Sequence, residues 1–356
     1  MPDFILQELP PPIDLETKAI MRQATQAHRY LAELKGVSKT IPNQTILINT
    51  LPLLEAKDSS AIENIITTHD ELYKDDLFGD FLQNAAAKEV RDYSSALREG
   101  FESVKKTGLL TNSLVLEMHK LIEHNSAGFR KLPGTSLKND RTGETVYVPP
   151  QNADDVARLM VNLERFINDD EVSPLDSLVK MAVIHYQFES IHPFYDGNGR
   201  SGRIINILYL VQKGLLDIPV LYLSRYIIKT KPDYYRLLQS VRDNGSWEEW
   251  ILYILRGVEE TSKNTIVLIN AIRELMQDYK MRIRRDFRFY SQDLLNNLFS
   301  HPYTKIEFVE RDLNVSRQTA AKYLDDLADT GFLIKEKVGR HNFFINKPLF
   351  ELFLKG

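Results

Sequence analysis

Twelve consecutive residues near the middle of the chain, 192–203, combine glycines and side chains suited to binding phosphate. Gly197 and Gly199 allow backbone conformations that a Cβ would disfavour, so that successive N–H groups can converge on an anion. Arg200 and Arg203 are three residues apart, and on a helix they would share a face and clamp two phosphates. The segment therefore predicts an anion cradle with two cations beside it.

Two further residues of this segment could act on bound phosphates. Asp196 is a hard oxygen ligand suited to Mg²⁺, which commonly bridges phosphates. His192 can accept a proton near neutral pH. The structural alternative is a glycine-rich turn whose Asp and Asn only cap helices. The contiguity of so many fitting residues favours phosphoryl-group chemistry.

The elements that position this segment are two predicted helices. Ser173 and Pro174 resemble an N-cap and a first helical residue, ahead of an apolar-rich helix that ends near Ile191. The next helix, 204–211, is apolar nearly all round and is closed by Gly214, so we expect it to be buried. Its N-terminus at the loop would add backbone donors and a positive dipole end.

The upstream region is predicted to be helical as well. A first helix begins at Asp14 as N-cap and ends at Gly36, and a second runs from near Asp58 to Tyr73. Two more helical patterns follow, at 85–104 and 114–122.

A β-hairpin is predicted between Gly134 and Pro150. The residues Asn139-Asp140-Arg141-Thr142-Gly143 form turns readily, and Thr145-Val146-Tyr147-Val148 is a short β-prone run. A hairpin with a free edge can hold an extended peptide by strand addition, and the alternative is a purely structural hairpin.

Segment 192–203 resembles the signature of the Fic family, His-x-Phe-x-(Asp/Glu)-Gly-Asn-Gly-Arg-x-x-Arg, at every fixed position. The resemblance implies a mainly α fold, with a helical core and the hairpin as a flap. It implies an adenylyltransferase, which moves AMP from ATP to a Ser, Thr or Tyr hydroxyl of a target protein and releases pyrophosphate. Related Doc-type kinases lack the second arginine and transfer the γ-phosphate, so Arg203 favours AMP transfer.

The same resemblance implies roles for single residues. His192 would be the base that deprotonates the target hydroxyl, and Asp196 would hold the Mg²⁺ cofactor. Asn198 and the neighbouring amides would bind the α-phosphate, with Arg200 on the β- and Arg203 on the γ-phosphate. The implied ATP-binding residues of the loop are Asp196, Gly197, Asn198, Gly199, Arg200, Ser201, Gly202 and Arg203.

A second motif lies upstream, in the N-terminal region. Ser60 and Glu63 have the spacing of a capping box, in which Ser60 would be the N-cap. Ser59-x-x-x-Glu63-Asn64 also resembles the family's inhibitory motif, (Ser/Thr)-x-x-x-Glu-(Gly/Asn). The resemblance implies that Glu63 pairs with Arg203 and occupies the donors that would hold the γ-phosphate. Both interpretations can hold together, and the second predicts an autoinhibited enzyme.

Two aromatic residues bear on the nucleotide base. Pro232 opens a helix in which Tyr234 and Tyr235 could line an adenine pocket by stacking. Their alternative role is that of core aromatics, one facing in and one facing out.

The C-terminal segment has the order helix, turn, helix, β-hairpin, which resembles a winged helix-turn-helix module. The predicted helices are 307–313 and 317–329, with Ser316 as N-cap of the second. Residues 332–334 and 343–345 would pair as strands. The inner face of the second helix would consist of Ala321, Leu324 and Leu327.

The charges of this module leave its partner open between DNA and protein. Arg317, Gln318 and Lys322 would face a groove, with Arg340 in the wing. The same helix carries three negative charges, on Asp325, Asp326 and Asp329.

The length of 356 residues suits two or three domains. We expect an N-terminal helical region with the inhibitory helix at 1–105, the Fic core at 106–260, a helical connector at 261–295 and the winged-helix domain at 296–356.

Composition excludes several classes of protein. A formal net charge of −4 does not indicate a globally basic nucleic-acid binder. The lack of cysteine excludes disulfides and thiolate metal sites, and it suits a reducing cytoplasm. No apolar run is long enough to cross a bilayer, and the N-terminus lacks a signal-peptide pattern, so a cytoplasmic protein without a membrane partner is expected.

The leading hypothesis is an autoinhibited AMP transferase, with ATP and a target protein, or the protein itself, as partners. One alternative is a Fic-fold enzyme that moves another phosphate-linked group or removes AMP. Another is an ATP-sensing regulator that binds DNA through its C-terminal segment. His192 argues against the last alternative, because sensing needs no base. The sequence leaves open a homodimer and the signal that relieves inhibition.

Overall fold

Helices make up most of the protein, and two small antiparallel sheets complete it. The computed structural model describes residues 5–72, 84–138, 142–338 and 341–355. The helices are α1 Lys18–Ser38, α2 Thr45–Ile62, α3 Ala85–Thr107, α4 Asn112–Glu123, α5 Ala153–Asn168, α6 Ser177–Ile191, α7 Asn198–Gln212, α8 Ser224–Lys229, α9 Lys231–Asn244, α10 Trp247–Asp286, α11 Gln292–Ser300, α12 Ile306–Leu313, α13 Arg317–Asp329 and α14 Lys347–Lys355. The strands are β1 Leu137–Lys138, β2 Thr145–Tyr147, β3 Tyr303–Thr304, β4 Ile334–Val338 and β5 His341–Ile345. The mainly α fold class is confirmed.

The core is built around α6 and α7, which are joined by residues 192–197. Every residue of α6 after Ser177 is buried, and so is the stretch 200–210 of α7. Both helices are apolar on nearly all sides, so they are stable only when other helices surround them. α7 packs against α2, α3, α4 and α6. The loop between α6 and α7 is therefore held by the best-packed part of the molecule.

The boundaries of α1 and α6 differ from the predicted ones. α1 has Thr17 as its N-cap, whose hydroxyl accepts the N–H of Ile20 at 3.3 Å, and it runs past Gly36. Asp14 instead accepts the N–H of Glu16, in a turn before the helix.

At α6, Asp176 is the N-cap, and its carboxylate accepts the N–H groups of Leu178 and Val179. The predicted start at Ser173 and Pro174 is wrong by three residues, because the side chain of Asp176 reaches the free amides at the helix start.

The prediction of the second helix is wrong in position. α2 begins at Thr45 and ends at Ile62, whereas a helix start was expected near Asp58. Pro52 lies inside α2, and a proline ordinarily ends a helix, so the sequence pattern concealed it. The predicted end at Tyr73 lies outside the described residues.

The capping box is wrong as well. Glu63 is the C-cap of α2, and its N–H donates to the carbonyl of Ser60. The hydroxyl of Ser60 is buried and has no hydrogen-bond partner among the described residues. The serine is therefore in the last turn of a helix and caps no N-terminus.

The predicted hairpin is present as β1 and β2. Leu137 pairs with Tyr147, and Lys138 pairs with Thr145, in an antiparallel register. The predicted turn residues 139–141 lie outside the described part of the chain.

Helix α10 is 40 residues long and joins the core to the C-terminal segment. It begins at Trp247, before the expected connector, and its indole at Trp250 donates to the carbonyl of Ala182 in α6 at 2.9 Å. The second part of this helix lies within the connector predicted at 261–295, so core and connector are continuous.

The C-terminal segment follows the predicted order of elements. Ser316 is the N-cap of α13, and the second sheet has the strand order β3-β5-β4. The inner face of α13 uses Ala320 with Leu324 and Leu327, so the expected Ala321 is off by one residue. Residues 339 and 340, including the expected wing arginine, lie outside the described residues. The winged-helix interpretation stays a prediction.

This segment also touches the N-terminal region. α11 packs against α2, and the hydroxyl of Tyr303 donates to the carboxylate of Asp70 at 2.5 Å. None of the helices within the described ranges combines the length and apolar character needed to cross a bilayer.

Candidate active site

His192 lies where α6 ends, as its C-cap, in a left-handed conformation with φ 50° and ψ 59°. Its N–H donates to the carbonyl of Phe188, and the side chain is half-buried. Burial lowers the pKa of His192 to about 4, with help from the positive charges of Arg130 and Arg242. The imidazole is therefore neutral at pH 7 and able to accept a proton.

The loop after His192 is shaped by Asn198. The side-chain oxygen of Asn198 accepts the N–H of Phe194 at 2.8 Å, and its NH₂ donates to the carbonyl of Phe194 at 2.9 Å. The ring of Phe194 is buried and stacks on His119 with 3.6 Å between centroids. The amide of Asn198 is thus engaged within the loop, and the start of α7 offers its backbone N–H groups to an anion.

Asp196 is exposed at the mouth of the loop. One carboxylate oxygen accepts the N–H of Gly197 at 2.7 Å, and the carbonyl of Asp196 is hydrogen-bonded to His119 at 3.0 Å. Gly197 has φ 72°, a left-handed conformation that favours glycine and lets α7 begin directly after the loop. The carboxylate therefore faces solvent at a fixed place beside the helix start.

Arg200 is buried and bonded to two carboxylates. Its guanidinium donates to Glu89 of α3 at 2.9 Å and to Glu123 of α4 at 2.6 Å. The carboxylate of Glu123 lies so close to Gly197 that a Cβ there would stand 2.5 Å from its oxygen. In this structure Arg200 ties the start of α7 to α3 and α4. Sequence reasoning missed both glutamates, which lie 111 and 77 residues away from Arg200.

Arg203 is hydrogen-bonded to two residues of the upstream motif, Ser59 and Glu63, and the pairing with Glu63 is the expected one. Its Nε donates to the hydroxyl of Ser59 at 2.7 Å, and its Nη2 donates to the carbonyl of Ser59 at 3.0 Å and to Glu63 Oε1 at 2.9 Å. The arginine side chain is 2% exposed and that of Glu63 is 35% exposed, so the ion pair is shielded from water on the arginine side and open on the carboxylate side. The carboxylate of Glu63 also lies over the loop, because a Cβ at Gly199 would stand 2.2 Å from its oxygen.

Asn64, the third residue of that motif, follows in a left-handed conformation with φ 65°. Its side-chain oxygen accepts a hydrogen bond from Lys231 at 3.2 Å. The end of α2 is thereby joined to the start of α9.

Three family models match consecutive stretches of the chain. They are the Fic/DOC family N-terminal model at 21–102, the Fic/DOC family model at 109–210 and the model of the protein adenylyltransferase SoFic-like C-terminal domain at 275–349. The chain belongs to the Fic/DOC family.

Curated relatives of this Fic protein match over part of their length. Protein adenylyltransferase Fic of Drosophila erecta is 26% identical over 147 residues, which are 41% of this chain and 28% of that protein. Protein adenylyltransferase fic-1 of Caenorhabditis briggsae is 26% identical over 156 residues, 43% of this chain and 28% of that protein. The chain thus spans about 28% of the length of the curated relatives it matches.

Solved structures share the fold. A Fic family protein from Desulfovibrio desulfuricans G20 has a TM-score of 0.60 at 18% identity and covers 95% of this chain and 98% of that one. A fragment of Fic-1 from Caenorhabditis elegans has a TM-score of 0.54 at 20% identity and covers 70% of this chain and 73% of that one.

The two tyrosines of this Fic protein differ in burial, as expected for core aromatics of which one faces in and one faces out. Tyr234 is buried, and its hydroxyl is hydrogen-bonded to His185 Nε2 at 2.9 Å. Tyr235 is 46% exposed, with its ring edge-on to Tyr234. Of this pair, only Tyr235 has an exposed side chain.

Two other expected loop residues face the interior of the Fic core. Ser201 is fully buried, and its hydroxyl has no hydrogen-bond partner among the described residues. Gly202 gives room to Glu189, since a Cβ there would stand 2.6 Å from Glu189 Oε1. Both residues therefore belong to the buried side of α7, and Gly202 allows its close approach to α6.

Glu189 should make the stability of this Fic protein pH-dependent. Burial raises its pKa from 4.5 to about 7, and Oε1 has no hydrogen-bond partner in the described part of the chain. Between pH 4.5 and about 7 the folded state keeps a proton on Glu189 that the unfolded chain has lost. The free energy of unfolding therefore falls as the pH rises through this range, by roughly 3 kcal/mol. Glu189→Gln should remove this fall, as measured by urea unfolding at pH 5 and pH 8.

The matched control is Glu33→Gln, on the exposed face of α1, which should leave the pH dependence as it is. Equal pH dependence in wild type and Glu189→Gln would contradict the burial of a protonated carboxyl group. Burial also raises the pKa of Glu55 to about 7, so Glu55 gives the stability a pH dependence of its own. Only the difference between the variants therefore reports on Glu189.

Proposed function

We propose that this protein transfers AMP from ATP to a hydroxyl side chain of a target protein, and that Glu63 holds it inactive. The observation that carries the proposal is the position of a neutral His192 beside the amide-lined start of α7, with Arg203 on the same helix. The family and the activity for which its relatives are named, protein adenylyltransferase, support this choice of reaction.

The reaction uses His192 as a general base. The imidazole takes the proton of the target hydroxyl, and the oxygen forms a bond to the α-phosphorus. The bond between the α-phosphorus and its bridging oxygen breaks, and pyrophosphate leaves with that electron pair. The N–H groups at the start of α7 would stabilise charge on the α-phosphate, and Arg203 would hold the γ-phosphate once Glu63 has left.

A divalent cation fits at Asp196. Its carboxylate is exposed at the loop mouth and fixed there by the N–H of Gly197. Mg²⁺ is usually held by one or two carboxylates together with substrate phosphates and water, which matches a single carboxylate beside the phosphate loop. When bound, the ion would neutralise charge on the phosphates and on the departing pyrophosphate.

Inhibition follows from competition for one side chain. Arg203 donates to Ser59 through Nε and Nη2 and to Glu63 through Nη2, so a γ-phosphate at this guanidinium would take the place of Glu63. Without that contact ATP would bind in a pose that does not aim the α-phosphorus at the hydroxyl.

Labelled ATP tests the reaction type. Incubation with ATP labelled at the α-phosphate should put label into protein, and ATP labelled at the γ-phosphate should not. Label from the γ position would instead show a kinase, and no label from either position in a Glu63→Gly variant would refute the transferase proposal. Release of AMP from a premodified target would identify the reverse activity.

The partners proposed are ATP, a target protein and, for self-modification, the protein itself. The flap strand β1 offers a free edge to a target segment within the described residues. A chain without cysteine suits the reducing cytoplasm.

Contact of α13 with DNA is testable through salt. Arg317, Gln318 and Lys322 are exposed, but Arg317 is paired with Glu307 at 2.9 Å. If α13 contacts DNA phosphates, affinity should fall steeply between roughly 50 and 200 mM salt, and the double variant Arg317→Ala, Lys322→Ala should weaken it. Fluorescence anisotropy with labelled duplexes measures both effects. No binding to any duplex at low salt would make contact with a protein the better role for this surface.

A further inference from the structure

Arg130 is a buried arginine that donates hydrogen bonds to the main chain around His192, the proposed general base. Its Nε donates to the carbonyl of His192 at 2.8 Å, and Nη2 donates to the carbonyl of Ile191 at 3.2 Å and to that of Pro150. Its own backbone N–H donates to the carbonyl of Pro193 at 2.8 Å. The residue is 2% exposed. One side chain thus joins the end of α6, the loop after it and the base of the flap.

The surroundings of this arginine are unusual for a buried cation. A buried charge is costly unless hydrogen bonds or an opposite charge compensate it. Within the described residues Arg130 has no carboxylate at ion-pair distance, and burial lowers its pKa. Main-chain carbonyls compensate its charge instead. The hydrogen bonds of the guanidinium therefore hold the backbone around His192 in a defined geometry.

That backbone needs support. Within the described residues His192 is one of four non-glycine residues with positive φ, a conformation that costs free energy and persists only where the surroundings enforce it. The carbonyl of His192 points at Arg130 Nε, so the guanidinium stabilises the turn that aims the imidazole at the loop.

We propose that Arg130 is a positioning residue for the base, which fixes the left-handed turn at His192 and ties it to the base of the flap at Pro150. The inference rests on the proposed transferase function, because it assigns Arg130 to the reaction that His192 performs. Nothing in segment 192–203 points to it, since Arg130 lies 62 residues before His192.

The same guanidinium acts on His192 electrostatically. Burial is the largest cause of the low pKa of His192, followed by the charges of Arg130 and Arg242, whereas Glu63 raises it. Loss of the charge at position 130 should therefore raise the pKa of His192 toward the ordinary value of roughly 6.5. In a plot of rate against pH, the pH below which the rate falls should rise together with this pKa.

The test uses two substitutions in the Glu63→Gly background, where the inhibitory carboxylate is absent. Arg130→Met should lower kcat about 100-fold, the effect of misplacing a reacting group by about 1 Å, with little change in KM for ATP. Its rate should also begin to fall at a higher pH than that of the parent, because one of the positive charges that lower the pKa of His192 is gone. Arg130→Lys keeps the charge and loses the forked hydrogen bonds, so kcat should fall while the pH below which the rate falls stays in place.

Lys180→Met provides the matched control. Lys180 is also a buried cation, 1% exposed, and it pairs with Asp170 away from the loop. It should lose stability while kcat per folded molecule and the pH profile stay as in the parent. Circular dichroism and thermal unfolding give the folded fraction of every variant, and if Arg130→Met does not fold, Arg130→Lys decides the question through its kcat.

The outcomes separate the two proposals. A Glu63→Gly parent without α-label transfer sinks the transferase function itself. An active parent with unchanged kcat in the Arg130 variants, or with losses that match the folded fraction alone, overturns the positioning role and leaves the transferase function standing.

Discussion

Replacing Glu63 with glycine is expected to raise incorporation of α-labelled AMP by about 10- to 100-fold. The carboxylate, itself 35% exposed, pairs with a guanidinium that is 2% exposed, so the contact is a charge-assisted hydrogen bond whose arginine side is desolvated. Such a bond contributes roughly 1.5–3 kcal/mol, and each 1.4 kcal/mol or so is a factor of ten. The variant removes the competitor and leaves Arg203 free to take the γ-phosphate.

Three further variants show whether the carboxylate itself inhibits. Glu63→Gln keeps the shape and loses the charge, so its incorporation should lie between wild type and Glu63→Gly. Ser59→Ala removes one neutral partner of Arg203 and should release less. Arg203→Ala should stay inactive, because it loses the phosphate ligand together with the inhibitor's anchor. Unchanged incorporation in Glu63→Gly, with a lowered melting temperature, would reduce Glu63 to a structural role at the end of α2.

Replacing His192 with alanine in the Glu63→Gly background should lower the transfer rate by about 10²- to 10⁴-fold. The imidazole is the group placed to take the hydroxyl proton, and it is neutral at pH 7 because burial holds its pKa near 4. ATP binding should survive, since the start of α7 and Arg203 are untouched. Rapid-mixing assays with labelled ATP measure the rate, and calorimetry measures nucleotide affinity.

His119→Ala serves as the comparison. That imidazole also lies near the loop, but it stacks on Phe194 and is bonded to the carbonyl of Asp196, so its loss should weaken loop order and stability. Transfer at nearly the parental rate in His192→Ala would remove His192 from the mechanism. Lost ATP binding would show instead that the side chain supports the phosphate loop.

The sequence predicted the phosphate loop well because its chemistry is contiguous. Residues 192–203 carry glycines, cations, a carboxylate and a histidine in one run; the structure places 192–197 between two helices, and 198–203 form the first turns of α7, which begins before the expected 204. The pairing of Glu63 with Arg203 was also expected, although only through resemblance, since the two residues are 140 positions apart.

Other features could not be derived from local pattern. Pro52 concealed α2 from the sequence analysis. A proline predicts the end of a helix, whereas here tertiary packing lets the helix continue through it. The spacing of Ser60 and Glu63 fits an N-terminus, but both residues lie at a C-terminus. The ion pairs of Arg200 and the carbonyls held by Arg130 join residues that only folding brings together.

The end of α2 depends on a residue from another helix. The carbonyl of Ser59 is satisfied by Arg203, and the negative end of the α2 dipole faces the same guanidinium. Arg203 thus caps α2 from outside, and that cap is lost if Arg203 leaves Ser59 to hold a phosphate. By thermodynamic reciprocity, a nucleotide that draws Arg203 away loosens the last turn of α2, and a partner that tightens that turn weakens the nucleotide by the same factor.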